Sequence, residues 1–176
     1  MGSDSVFKVE QEGHIAWLTL NRPEKRNAMG RAFYQGMADY CRQFDQDSEV
    51  RVVVLKAEGK SFTTGTDMIE LGGLVGDGSA SSRELLRDQI LWGQGCISEI
   101  ETCRKPVIAA AHGFCIGGGV DLLSACDIRI ATRDCVFGVR ETRVGVIADV
   151  GTLQRLPHII GHGWFRELAL TGRDFG

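Results

Sequence analysis

Residues 14–20 read HIAWLTL, a β-rich apolar run. Asn21, Pro23 and Asn27 then break the pattern, so a strand is expected to enter a polar loop. Residues 31–47 follow a different period: Phe33, Met37, Tyr40, Cys41 and Phe44 recur at i, i+4, i+7, i+8 and beyond, the spacing of one buried helix face. Residues 50–57 return to a nearly continuous apolar run, as expected of a strand covered on both sides. The chain therefore opens as strand, helix, strand.

Residues 58–71 carry Gly59 and Gly65 and predict a loop, and the glycine- and serine-rich residues 72–84 predict a mobile segment able to open or close. Across residues 83–103, Leu85, Leu86, Ile90, Leu91, Cys96, Ile97 and Ile100 mark a long helix that Lys105-Pro106 stops. Residues 106–132 read as strand, glycine turn, short helix and strand. Residues 152–176 are mostly helical, with Gly172 placed as a C-terminal stop. Neither a linker nor a tandem repeat interrupts the pattern, which gives an α/β chain folding as one domain over residues 1–176.

Composition narrows the function classes. With 43% hydrophobic and 24% charged residues, the chain is of the ordinary globular type, and no apolar run approaches the roughly 20 residues of a membrane span. The N-terminal residues show no basic stretch leading into an apolar one, so a cytoplasmic location is expected. A formal charge of −3 with acids and bases interspersed argues against nucleic acid as a ligand. The local cluster at residues 22–26, with Lys25 and Arg26, still suits a phosphorylated small molecule. Six cysteines lie scattered without a CxxC pair and are expected to be reduced and buried, and four histidines show no metal-ligand spacing.

Gly117-Gly118-Gly119 stands just before a helical pattern, where glycine permits close approach to N–H groups at the positive end of a helix dipole. A tight turn would need the same glycines. The loop Phe62-Thr63-Thr64-Gly65-Thr66-Asp67 offers a second backbone N–H, and two converging donors stabilise a carbonyl oxygen as it gains charge. Asp67 is read as an N-cap for the helical pattern that starts at Met68. Three acids, Asp121, Glu141 and Asp149, punctuate an otherwise apolar region. Each has a plain alternative: a helix-start charge, a solvated loop residue and a turn former, respectively.

Taken together, NRPEKRNAM, FTTGTDM, KPVIAAAHGFCIGGGVDLLSACDIRIAT and GTLQRLPHIIG, in this order, resemble the enoyl-CoA hydratase/isomerase (crotonase) superfamily. The resemblance spans nearly the whole chain. It implies a spiral of strand-strand-helix turns that binds an acyl-CoA thioester, with coenzyme A as part of the substrate and no separate cofactor or metal. The thioester oxygen would sit between the N–H groups of Thr66 and Gly118. Lys25, Arg26, Thr64, Gly65, Asp67, Met68 and Gly117 fall at the substrate-binding positions.

Hydratases of the superfamily carry glutamate where Asp121 stands, and their IPGAG-like loop is IADVG here. The set Asp121, Glu141 and Asp149 is similar instead to the Δ3,5-Δ2,4-dienoyl-CoA isomerases, which move two double bonds by shuttling a proton between carbons 2 and 6. That likeness implies Glu141 at carbon 2, Asp149 at carbon 6 and Asp121 orienting the pair. Arg143 is left with two placements: inward it would favour ionised Glu141, outward it is solvated surface. A hydratase or simple enoyl-CoA isomerase, or a non-catalytic acyl-CoA binder, are the competing readings. Family members continue into C-terminal helices that cover the acyl pocket and build a trimer or hexamer. Those helices are expected to be missing here, leaving apolar surface for a homo-oligomer.

Overall fold

In a computed structural model, which describes residues 5–73 and 76–176, the described residues form eight strands and six α-helices. Strand β1 (Phe7–Glu12) pairs antiparallel with β2 (Ile15–Leu20) across a turn at Gly13. From β2 onward the sheet is parallel: β3 (Val52–Ala57) joins β2, β4 (Val107–Ala111) joins β3, and β6 (Ile128–Ala131) joins β4. The order is β1-β2-β3-β4-β6. A smaller sheet, ordered β5-β7-β8, holds β5 (Phe114–Ile116), β7 (Val136–Gly138) and β8 (Asp174–Phe175).

Parallel neighbours need crossovers, and helices supply them. Helix α1 (Arg31–Gln46) returns β2 to β3, and α3 (Ala80–Thr102) returns β3 to β4. Between β4 and β6 the chain first lays down β5 and then α4 (Gly118–Ala125), the strand-strand-helix unit expected of the spiral. Helix α5 (Thr152–Ile160) and α6 (His162–Thr171) follow, and Gly172 ends α6 in the left-handed conformation as expected.

Helix α1 buries Phe33, Tyr34, Met37, Ala38, Cys41 and Phe44. Each large side chain so buried contributes about 1.5–3 kcal/mol, which outweighs the absence of a side-chain cap at Gly30. The Arg31 N–H instead donates to Glu70 Oε2 at 2.7 Å, an acid supplied by α2 (Met68–Gly72). Strand β3 buries Val53 and Leu55 fully, and Val52 and Val54 in part. All six cysteines are free thiols and five are buried. No helix among the described residues is long and apolar enough to cross a membrane.

The stretch expected to be mobile includes residues 74 and 75, which lie outside the described residues. Helix α3 begins at Ala80, earlier than the apolar pattern implied, because Ser79 caps it by accepting the Ser82 N–H. Strands β1, β7 and β8 were not foreseen, and β5 lay hidden in a stretch read as a glycine turn. β6 is an edge strand with all four residues exposed, Ile128 at 48% and Ile130 at 58%.

Candidate active site

The loops after β3 and β5 leave the carboxyl ends of parallel strands, where ligand sites of open α/β sheets form. Two isolated bridges bring them together. Thr63 pairs with Cys115, its N–H donating to Phe114 O at 3.0 Å while the Ile116 N–H donates to Thr63 O at 3.3 Å. Thr66 pairs with Met29 through its neighbours: the Met29 N–H donates to Gly65 O and the Asp67 N–H to Met29 O. With the flanking groups making those bonds, the Thr66 N–H faces the other way, toward α4.

Glycine makes the approach possible. Gly65 has φ +83°, and a Cβ there would stand 2.7 Å from Ile116 O and 3.1 Å from Gly118 N. A Cβ on Gly118 would stand 3.4 Å from Thr66 N. Gly118 is the first residue of α4, so its N–H has no carbonyl to meet within the helix. Thr66 and Gly118 thus lie side by side at the positive end of a helix, an arrangement able to receive one oxygen acceptor.

The remaining expected binding residues divide in two. Lys25 and Arg26 are exposed on a short 3-10 turn, and Arg26 O accepts the Thr64 N–H at 3.2 Å. Asp67 is buried and caps α2 by accepting the Ile69 N–H at 3.2 Å, with Arg22 Nη1 at 3.9 Å from its other oxygen. Its carboxylate is therefore occupied within the fold. Met68, the first residue of α2, is 55% exposed.

All three acids gather behind the glycine loop. Asp121, in the first turn of α4, is 1% exposed and accepts the Thr152 N–H at 2.6 Å. Burial raises its carboxyl above the ordinary range, the contact with Thr152 opposes this, and the charge of Asp149 adds to it. Glu141 starts the second 3-10 turn, and its Oε1 would be 3.3 Å from a Cβ on Gly117. Glu141 Oε2 is buried without a hydrogen-bond partner among the described residues. Burial pushes this carboxyl up to about 7, its own backbone hydrogen bond lowers it, and the charges of Asp121 and Asp149 raise it. Asp149 is half-buried and likewise raised, again chiefly by burial. Arg143 takes the outward placement: its Nη2 lies 3.8 Å from Asp174 Oδ1, beside the Arg140–Asp174 ion pair.

The sequence profile of the enoyl-CoA hydratase/isomerase family matches residues 10–176. The chain belongs to that family. It is 47% identical over 175 residues to the rat protein named mitochondrial Δ3,5-Δ2,4-dienoyl-CoA isomerase, covering 97% of this chain and 54% of the rat one. The peroxisomal protein of that name from Arabidopsis thaliana is 41% identical, with 97% and 63% covered. Among solved structures, an enoyl-CoA hydratase from Bacillus anthracis superposes with a TM-score of 0.86 at 31% identity, over 97% of this chain and 64% of that one. An enoyl-CoA hydratase/isomerase from Marinobacter aquaeolei gives 0.88 at 27% identity, with 97% and 64% covered. The crotonase-type spiral is thus shared, and the chain spans a little over half to under two thirds of these relatives' length.

Two polar residues beside the acids and the donor pair escaped the sequence reading. Tyr34 Oη lies 3.2 Å from Thr66 Oγ1. Burial pushes its phenol up to about 12; the Thr66 bond lowers it, and the charges of Asp121, Asp149 and Glu141 raise it, so all three acids act on one hydroxyl. A tyrosine on a buried helix face, where its hydroxyl needs a partner, was the available signal. Gln94, on α3, donates to Asp149 O at 2.6 Å. Nothing in the sequence marks it. Beside it a cavity of about 670 Å³ opens between α3 and α5, lined by Gln94, Ser98, Asp149, Arg155 and His158 among others. Among the described residues no three His, Cys, Asp or Glu side chains group as metal ligands.

Proposed function

We propose that the chain carries Δ3,5-Δ2,4-dienoyl-CoA isomerase chemistry. The observation behind this reading is the pair Glu141 and Asp149, two carboxyls held above their ordinary range by burial, of which Glu141 stands beside Gly117 in the loop that carries the Gly118 donor. Glu141, pushed up to about 7, can exchange a proton near neutral pH, and the productive form is the one with Glu141 ionised and Asp149 protonated, which the burial of Asp149 favours. Ionised Glu141, next to Gly117, removes a proton from carbon 2 of the thioester. The electron pair is delocalised onto the thioester oxygen, which the Thr66 and Gly118 N–H groups stabilise. The C3=C4 and C5=C6 bonds then become C2=C3 and C4=C5 as Asp149 delivers its proton to carbon 6. The reaction is redox-neutral, and coenzyme A enters only as part of the substrate.

Asp121 holds the backbone after Asp149 through Thr152 and takes the orienting role. Exposed Lys25 and Arg26 offer positive charge to the phosphates of coenzyme A. The cavity beside Asp149 gives its carboxyl a route to bulk water for proton exchange. The names of the rat and Arabidopsis relatives support the reading. The exposed apolar side chains of β6, together with Ile147 and Leu170, favour a homo-oligomer, which sedimentation velocity would detect.

The deciding experiment follows formation of the 2,4-diene from 3,5-dienoyl-CoA, with hydration of 2-enoyl-CoA measured in parallel. Diene formation supports the reading. Efficient hydration with no diene formed would replace it by the hydratase alternative, and binding without either turnover would replace it by a non-catalytic acyl-CoA binder.

A further inference from the structure

Residues 149–152 carry Asp149 into helix α5, and the segment has little to fix it locally. The helix N-cap is Gly151, with φ +130° and no side chain to cap the first turn. Two side chains from elsewhere, and one from the first turns of α5 itself, hold it. Gln94 Nε2 donates to Asp149 O at 2.6 Å, Arg155 Nη1 donates to Val150 O at 3.3 Å, and Asp121 Oδ1 accepts the Thr152 N–H at 2.6 Å. Arg155 is itself fixed by Ser98 Oγ at 3.1 Å and Glu101 Oε2 at 2.9 Å. Gln94, Ser98 and Glu101 stand at i, i+4 and i+7, one stripe along α3. A single helix face therefore grips the backbone that aims Asp149.

We infer that Gln94 is a positioning residue for Asp149: by holding the carbonyl of that residue, it sets the direction of a carboxyl to which no other described residue donates a hydrogen bond. The carbonyl lies beside the open cavity, so water can replace the amide when it is lost. The fold then gives up little, while the carboxyl loses its aim. A displacement of about 1 Å at a reacting group is enough to lower a rate by about 100-fold.

The inference rests on the dienoyl-CoA reading for the proton delivered at carbon 6, but the placement itself can be tested without turnover. In Gln94→Met, and in Gln94→Leu as a second variant, isomerisation should fall about 10–100-fold. KM and the rate of deuterium uptake at carbon 2 of 3,5-dienoyl-CoA in D₂O should both stay within about twofold, since that exchange depends on Glu141. By NMR with ¹³C-labelled aspartate, the resonance missing from Asp149→Asn identifies Asp149, and its titration midpoint should move down toward the ordinary carboxylate range in both variants as the carboxyl reaches solvent. An equal fall in both rates, unchanged isomerisation, or an unmoved Asp149 midpoint would overturn the inference. If the unmodified protein turns over no dienoyl-CoA, the reaction is what fails; a moved midpoint then supports the placement of Asp149 by Gln94, and an unmoved one rejects it.

Discussion

The carboxylate of Asp121 accepts the Thr152 N–H at 2.6 Å, tying the first turn of α4 to the first residue of α5 across 31 residues of chain. An asparagine keeps an oxygen for the same N–H and removes a charge that burial disfavours, so Asp121→Asn should change stability by less than about 1 kcal/mol. Asp121→Leu leaves the Thr152 N–H buried and unpaired and should lose about 1–3 kcal/mol. Urea unfolding of both variants checks the ordering, and equal losses would detach the bond from its assigned role.

Removing either proton-transfer group should be felt in turnover and hardly in binding. Glu141→Gln and Asp149→Asn are each expected to lower the rate of 2,4-diene formation by about 10²–10⁴-fold with KM little changed. Asp121→Asn should do less damage than either. Full isomerase activity in a folded Asp149→Asn protein would remove that residue from the mechanism.

The raised Glu141 carboxyl makes a statement about stability as well. Between the ordinary glutamate value of 4.5 and about 7, the folded state keeps a proton that the unfolded chain releases, so stability falls as pH rises through this window. The raised carboxyls of Asp121 and Asp149 act in the same direction. Glu141→Gln should therefore be less sensitive to pH and more stable than the parent protein at pH 8, the two converging near pH 4. Deuterium exchange at carbon 2 should rise through about pH 7 as Glu141 ionises. Chemical denaturation and exchange rates across pH 4–9 measure the two effects.

A methyl group on Gly65 meets two obstacles at once. At φ +83° an L-residue is strained, and its Cβ would stand 2.7 Å from Ile116 O. Gly65→Ala should push Thr66 away from Gly118 and lower isomerisation more steeply than it lowers stability. Gly78→Ala is the control, because Gly78 has a similar φ of +80° but nothing within 4 Å of its Cβ. It should cost about 1–2 kcal/mol of stability and leave turnover intact; equal effects from the two substitutions would locate the damage in strain alone.

Long periodic segments were legible from sequence because burial imposes its period on them: α1 and β3 follow their apolar spacing, whereas in α3 only Cys96, Ile97 and Ile100 of the expected stripe are buried and Leu85 and Leu91 are exposed. The short strands were not. β7 spans Val136–Gly138 and β8 only Asp174–Phe175, too few residues for alternation to register. β1 hid for a different reason: only Phe7 of its six residues is buried, leaving Phe-Lys-Val-Glu-Gln-Glu without a strong apolar face. At the site, the residue types with a recognisable spacing, Gly65, Thr66, Gly118 and the three acids, could be picked out and are found together. Tyr34 and Gln94 could not, since their roles come from contacts across 32 and 55 residues of chain. Arg143 needed coordinates too, because only the location of Asp174 decides which way it turns.

The buried thiols give the molecule a built-in chemical clock. Only the thiolate attacks alkylating reagents, and burial pushes Cys126 up to about 12 and Cys135 to about 11, with Cys41, Cys96 and Cys115 raised for the same reason. Such groups stay silent toward a polar maleimide or iodoacetamide while the surrounding layers remain closed. Burial raises Cys103 too, but it is partly exposed at the end of α3 and should label first, with the other five labelling only in molecules that have opened. Mass shifts of one adduct followed by several would then separate surface accessibility from breathing of the core, with the opening rate read directly from the delay.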